Sequence, residues 1–395
     1  MKLLIALSLV IAAAFGGYHL SFRRIAGRRS RFSWLHLTGL EFLIIGLLLG
    51  PGFSNILDET TIANLSPFSG LALGWVGLLA GFQFEAALIR RFPPPFFLAV
   101  FLESGVTILF VFCCLYPLLP LFIPMSGSLH VIVALVLSAA AACTSQSGLV
   151  VAGAGHTAAG NKTLRLLRYM VSLEALLPMA LLVWIYFFRP GPPGINSLVM
   201  ALLLSAVLTA VLILYALLLA RRRSTDELAL VIIGMTVLTS GAAVQVGFSP
   251  LPANFFLGLI LVNLTREKEK IFGLLVSIEK PVYLVLLIFL GAQWQLSGFW
   301  IALPAGLYFM LRLAGKISGG WIATRVVPGL YTYPGLLGLG LLEQGGLALA
   351  ILLDFQQRFS GPEVSAAVGF ALAAIVLTQM AGPYFAHRLI RGVKS

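Results

Sequence analysis

Long apolar runs, each about the length of a bilayer-crossing helix, alternate along this chain with short loops carrying Arg and Lys. Read to within a few residues, the runs predict about thirteen membrane spans. They cover 2–20, 35–53, 67–88, 96–118, 129–153, 164–188, 195–220, 227–247, 251–264, 275–296, 300–327, 333–354 and 363–387. The runs are unbroken and lack the alternation of a transmembrane β-barrel, so the expected fold class is an all-α polytopic membrane protein. The longest loops hold about a dozen residues, which leaves no soluble domain and makes residues 1–395 one transmembrane domain.

Within these runs a few polar positions stand out. Glu174 lies near the middle of the span 164–188, where a lone charge costs about 2.5–3.5 kcal/mol on insertion scales. Acids at that depth face a partner or a cavity and mark ion or proton paths; the plainer alternative is a neutral acid hydrogen-bonded between helices. The span 300–327 carries Arg312 and Lys316, four residues apart on one helix face. Counted from the span ends, Arg312 matches the depth of Glu174 and is the expected charge partner. Lys316 lies a turn nearer the cytoplasm, where it can snorkel, and is the second choice. The plain reading of such a pair is a salt bridge that only locks two helices. Glu41 and Glu103 sit nearer span ends and are second-tier candidates, and Glu85 reads as a solvated residue at a span end.

Two spans are interrupted. Thr144, Ser145, Gln146, Ser147 and Gly148 break the fifth, and Glu343, Gln344, Gly345 and Gly346 break the twelfth. Interruptions at matching places in two halves point to discontinuous transporter helices, whose backbone groups and dipole ends face a polar cavity. Close packing at small residues is the other explanation, and it fits Glu343 and Gln146 poorly. The breaks are an odd number of spans apart, so the halves run in opposite directions. This predicts an inverted repeat of about 35–188 and 251–387 joined by a linker helix at 195–220, with the two broken helices crossing.

Composition narrows the class further. The chain is 59% hydrophobic and 10% charged, with a mean hydropathy of +1.01, which excludes a soluble domain of this length. The net charge of +12 suggests a nucleic-acid partner only until the basic residues are located. Twenty of the 26 lie on one set of loops and three (Lys2, Arg189 and Arg358) on the other. Positive-inside bias then places the N-terminus outside and the C-terminus in the cytoplasm, speaks against reading residues 2–20 as a cleaved signal rather than a span, and removes nucleic acid as a partner. Cys113, Cys114 and Cys143 fall within apolar runs and read as small packing residues. The histidines are scattered near span ends, so no resident metal site and no cofactor are expected.

Several segments in order resemble the cation:proton antiporter superfamily, in its Kef-type and Nap-type bacterial branch. They are FLIIGLLLGPGF, GLLAGFQFE, GFSPLPANFFLGLILVN, EKPVYLVLLIFLGAQWQL, GLLEQGGLALAILL and IVLTQMAGPYF, and they run over nearly the whole chain. The resemblance implies an Nha-type fold and a homodimer in the inner membrane, with each protomer divided into a dimerisation panel and an ion-binding core. By position, Glu174 takes the place of the family's ion-binding aspartate, and Arg312 that of the basic residue in its Lys/Arg-x-x-Gly pattern. Thr144 and Ser145 fall where members carry Thr-Asp or Thr-Ser. The chain departs from the pattern in having one acid rather than an adjacent pair, Gln146 for the usual proline, and Glu343 at the second break.

The function expected is exchange of a monovalent cation, Na+ or K+, for protons at a single midplane carboxylate, with no covalent chemistry and therefore no enzyme activity. An organic-anion/sodium symporter on a similar fold, or a transport-inactive membrane sensor or scaffold, are the alternatives.

Overall fold

The structure is a computed structural model that describes residues 8–12, 39–90, 92–125, 127–145, 162–188, 197–219, 225–294, 301–330, 333 and 335–392. Most of the expected first span, and Gln146, Ser147 and Gly148, lie outside these residues. Among the described residues every regular element is helical. Among the described residues, six stretches are long and apolar enough to cross a bilayer: Pro94–Phe122, Lys162–Phe187, Ser197–Leu217, Asp226–Gln245, Lys268–Ala292 and Pro362–Ile390. Large apolar side chains face outward, with Leu198 68%, Leu217 70% and Leu230 71% exposed, as in a protein whose solvent is lipid. The chain is a multi-pass membrane protein.

In chain order the helices are α1 (Leu40–Leu49), α2 (Glu59–Asn64), α3 (Ser66–Phe82), α4 (Ala86–Ile89), α5 (Pro94–Phe122), α6 (Gly127–Ala142), α7 (Lys162–Leu173) and α8 (Leu176–Phe188). They continue as α9 (Ser197–Leu219), α10 (Thr225–Gln245), α11 (Pro250–Leu264), α12 (Lys268–Ala292) and α13 (Ala302–Val326). A 3₁₀ turn (Leu337–Leu341), α14 (Gly346–Arg358) and α15 (Pro362–Gly392) close the chain. The helices form two compact units, each built from both halves of the sequence: 1–85 with 183–293, and 86–182 with 294–395.

In the first unit α3 packs on α11, and α12 on α1 and α3. The α3–α11 contact is close because Gly77 and Gly81 lie against the carbonyls of Leu251 and Phe255, and Gly258 against that of Leu78. A side chain at any of the three would collide with backbone, so small residues set the spacing, as they do where lipid supplies no hydrophobic drive between helices. The tight turn between α10 and α11 is held by Ser249, whose hydroxyl accepts from the Leu251 N–H (3.1 Å), with Pro250 opening the helix. Glu85, expected to be solvated, is instead ion-paired to Lys268 at 2.8 Å, because the start of α12 brings an ammonium beside it.

In the second unit α5 packs along α13, and α6, α14 and α15 surround them. Two departures from helical geometry matter here. The helix of the fifth span ends at Ala142, and the twelfth span is a short 3₁₀ turn, a non-helical stretch of 342–345 and then α14. The sixth span also breaks: α7 stops at Leu173 and α8 begins at Leu176, with Glu174 between them. Pro178 accounts for this, since it has no N–H to bond the carbonyl of Glu174 four residues earlier.

Candidate ion site

Four chain segments of the second unit meet around Glu174, a residue only 3% exposed. The break before Pro178 places Glu174 between two helical pieces. Its Oε2 accepts from the Thr144 hydroxyl at 3.0 Å and from Lys316 Nζ at 3.2 Å. Its Oε1 is buried with no hydrogen-bond partner among the described residues.

Lys316 is buried at the centre of this cluster. Besides Glu174, its ammonium donates to the Ala142 carbonyl at 2.6 Å and pairs with Glu103 at 3.1 Å. Glu103 comes from α5 and is completely buried. It reaches Lys316 because Gly319, a turn along α13, lies flat against the Glu103 carbonyl and lets the helices approach. Thr107, a turn further along α5, donates its hydroxyl to the same carbonyl at 2.8 Å.

Arg312 does something else. Its Nε donates to the Leu342 carbonyl at 3.1 Å, and one terminal nitrogen reaches the carbonyls of Cys143 (2.9 Å), Leu342 (2.9 Å) and Leu341 (3.2 Å). These are the carbonyls at which the helix α6 and the 3₁₀ turn end, so the guanidinium satisfies backbone acceptors that the breaks leave open and sits at the negative ends of two helical segments. The pairing expected from span depth is therefore corrected: Glu174 is paired with Lys316, and Arg312 ties two chain breaks together. A buried guanidinium, with its fork of fixed donors, suits clustered carbonyls.

The remaining candidates fall around this core. The Thr144 hydroxyl also lies 2.9 Å from the Leu341 carbonyl. The Ser145 N–H donates to the Glu343 carbonyl at 2.7 Å, joining the two interrupted stretches, and Gly345 lies against Ser145, leaving no room there for a side chain. Gln344 is fully buried and its amide donates to the Ala140 carbonyl at 2.9 Å. Gly346 opens α14. Glu343 precedes that helix, half-buried, with Oε2 lacking a hydrogen-bond partner among the described residues. Glu41 belongs to the first turn of α1, in the first unit.

Sequence reasoning undervalued Glu103 and passed over Tyr308, Thr378 and Gln379. The Tyr308 hydroxyl donates to the Leu137 carbonyl at 2.7 Å, and Gln379 to the Gln344 carbonyl at 3.4 Å. A signal for Glu103 was present: Gly315 and Gly319 share a face with Arg312 and Lys316 on a span whose charges need a close partner.

The chain matches no family model, and no curated protein matches it in sequence. Its structure is similar to two solved structures of the sodium proton antiporter MjNhaP1 from Methanocaldococcus jannaschii. One, determined at pH 8, is 15% identical with a TM-score of 0.68 and covers 99% of each chain. The other, from an electron-microscopy map, is 15% identical with a TM-score of 0.67 and covers 100% of this chain and 98% of that one. Over essentially its whole length this chain shares its fold with a sodium proton antiporter, the fold implied by the resemblance of its motifs to the cation:proton antiporter superfamily.

Proposed function

We propose that this protein exchanges a monovalent cation, Na+ or K+, for protons by alternating access at Glu174. The observation that carries the reading is the buried Glu174 carboxylate, held on one oxygen by Lys316 and Thr144 and open on the other. A carboxylate so placed binds a proton or a cation but not both, and this exclusivity couples the two fluxes without covalent chemistry, so the protein is a carrier rather than an enzyme.

Thr144 suits both forms of the acid. It donates to Oε2 of the ionised carboxylate; when Oε1 takes the proton, the same hydroxyl keeps Oε2 in place or turns its hydrogen to the Leu341 carbonyl. With one exchanging acid, each cation moves against one proton. The two stretches joined at Ser145 and Glu343 are read as crossing half-helices of a thirteen-span inverted repeat, with repeats of about 35–188 and 251–387 and the linker helix 195–220. A homodimer in a bacterial inner membrane, N-terminus outside and C-terminus in the cytoplasm, completes the reading.

The test is cation-driven proton movement in vesicles containing the purified protein. Wild type should move protons when Na+ or K+ is applied, and Glu174→Gln should fold and elute normally but move none. Wild-type rates in the folded variant would refute the assignment of Glu174.

A further inference from the structure

We propose that Glu103 keeps Lys316 charged while a cation occupies Glu174, so that Glu174 alone carries the exchanged proton. The inference rests on the reading of Glu174 as the exchange site and assigns the second buried acid a role in setting the stoichiometry.

The donors and acceptors carry it. An ammonium has three N–H donors and no acceptor. Lys316 meets three acceptors: the Ala142 carbonyl at 2.6 Å, Glu174 at 3.2 Å and Glu103 at 3.1 Å. All lie inside the unit, with Lys316 and Glu103 completely buried and Glu174 3% exposed. The other titratable or charged groups around this cluster include Arg312, on α13 itself, Cys143, just beyond α6, and Tyr308, also on α13, which faces Arg312 and Cys143. Arg312 directs its hydrogen bonds to backbone carbonyls. Two acids therefore share one lysine, and they stand on different supports. Glu103 belongs to the α5–α13 contact closed by Gly319, whereas Glu174 sits in the gap between α7 and α8.

A cation arriving at Glu174 repels the ammonium beside it. With Glu174 as its one counter-charge, Lys316 would relieve that repulsion by releasing its proton, and two protons would then move for each cation. Glu103 removes the need, because the lysine retains an ion pair and a carbonyl when it leaves Glu174. In the proton-loaded state the cluster holds Glu174 neutral, Lys316 positive and Glu103 negative. In the cation-loaded state it holds Glu174 negative with its cation, Lys316 positive and Glu103 negative. One proton has been replaced by one monovalent cation and the net charge of the cluster is unchanged.

The experiment is a titration of purified protein with sodium chloride, and separately potassium chloride, in weakly buffered detergent solution, with proton release read by a pH indicator. As pH rises, release from wild type should fall from about one proton per bound cation to none. In Glu103→Gln it should fall from about two to about one, the last proton coming from Lys316, and adding Lys316→Met should remove that one. In vesicles, Glu103→Gln should exchange two protons per cation and become driven by membrane potential. Glu103→Gln that binds cation and releases none at alkaline pH overturns the inference. Wild type that still releases about one proton at alkaline pH also overturns it, and this arm decides the matter if the variant does not fold. Wild type that binds neither cation refutes the exchange reading itself, and the inference with it.

Discussion

Removing the shared cation from the buried cluster should be severe, and reversible in a specific way. Lys316→Met keeps most of the stem volume of the lysine, so little packing is lost. What remains is Glu103 and Glu174, both buried, without the ammonium that lay 3.1 Å from one and 3.2 Å from the other. Breaking a buried ion pair by deleting one partner costs about 3–5 kcal/mol, because the stranded charge stays in a low-dielectric interior. The unit that holds the cluster has about 200 residues, and at that size each kcal/mol shifts the midpoint by about 2–4 °C, so the melting midpoint should fall by roughly 6–20 °C. Adding Glu103→Gln removes one of the stranded charges and should recover at least half of the loss. Arg312→Met is the contrast. Its partners are the carbonyls of Cys143, Leu341 and Leu342, so no carboxylate substitution should rescue it. The assay is the loss of the monodisperse size-exclusion peak after heating in detergent. A Lys316→Met midpoint within about 2 °C of wild type, or a Glu103→Gln addition that deepens the loss, would refute the shared-cation geometry.

Other outcomes follow from the same structure. Thr144→Val deletes the hydroxyl that lies 3.0 Å from Glu174 Oε2; a hydrogen bond to a charged group contributes about 1.5–3 kcal/mol, so the apparent cation affinity in flux assays should weaken about ten- to hundredfold, with Thr144→Ser close to wild type. Gly319→Ala sets a methyl against the Glu103 carbonyl and should lower the melting midpoint, whereas Gly273→Ala in α12 meets open space and should leave it unchanged or slightly raised; equal effects would argue against the close α5–α13 contact. A fluorescent protein fused after Ser395 should glow in the cytoplasm, and activity of a reporter that works only outside the membrane would overturn the proposed orientation.

The apolar rhythm made the membrane class legible, because twenty-residue hydrophobic runs have few other uses. It also exposed Glu174, Arg312, Lys316 and the two polar interruptions, since a charge or a Thr-Ser pair in mid-span is costly and so conspicuous. Pro178 could have revealed the break at Glu174, but a proline in an apolar run also fits a simple kink. Glu103 looked marginal because its depth was counted from a span beginning at 96. The helix begins at Pro94 and runs 29 residues, so Glu103 lies about 14 Å along it at 1.5 Å per residue.

Sequence alone thus determined that the chain crosses a membrane many times and that a few charges are buried where lipid forbids them, because those facts depend on local hydrophobicity and on the cost of an isolated charge. Only the tertiary structure decided which charges meet. Arg312 and Lys316 lie on one face about 6 Å apart along the helix, less than the uncertainty of any span boundary, so depth could not choose between them. The choice came from acceptors that have no sequence signature: carbonyls freed where α6 and the 3₁₀ turn end captured the guanidinium, and the Glu103 carboxylate, brought close over Gly319, held the ammonium beside Glu174.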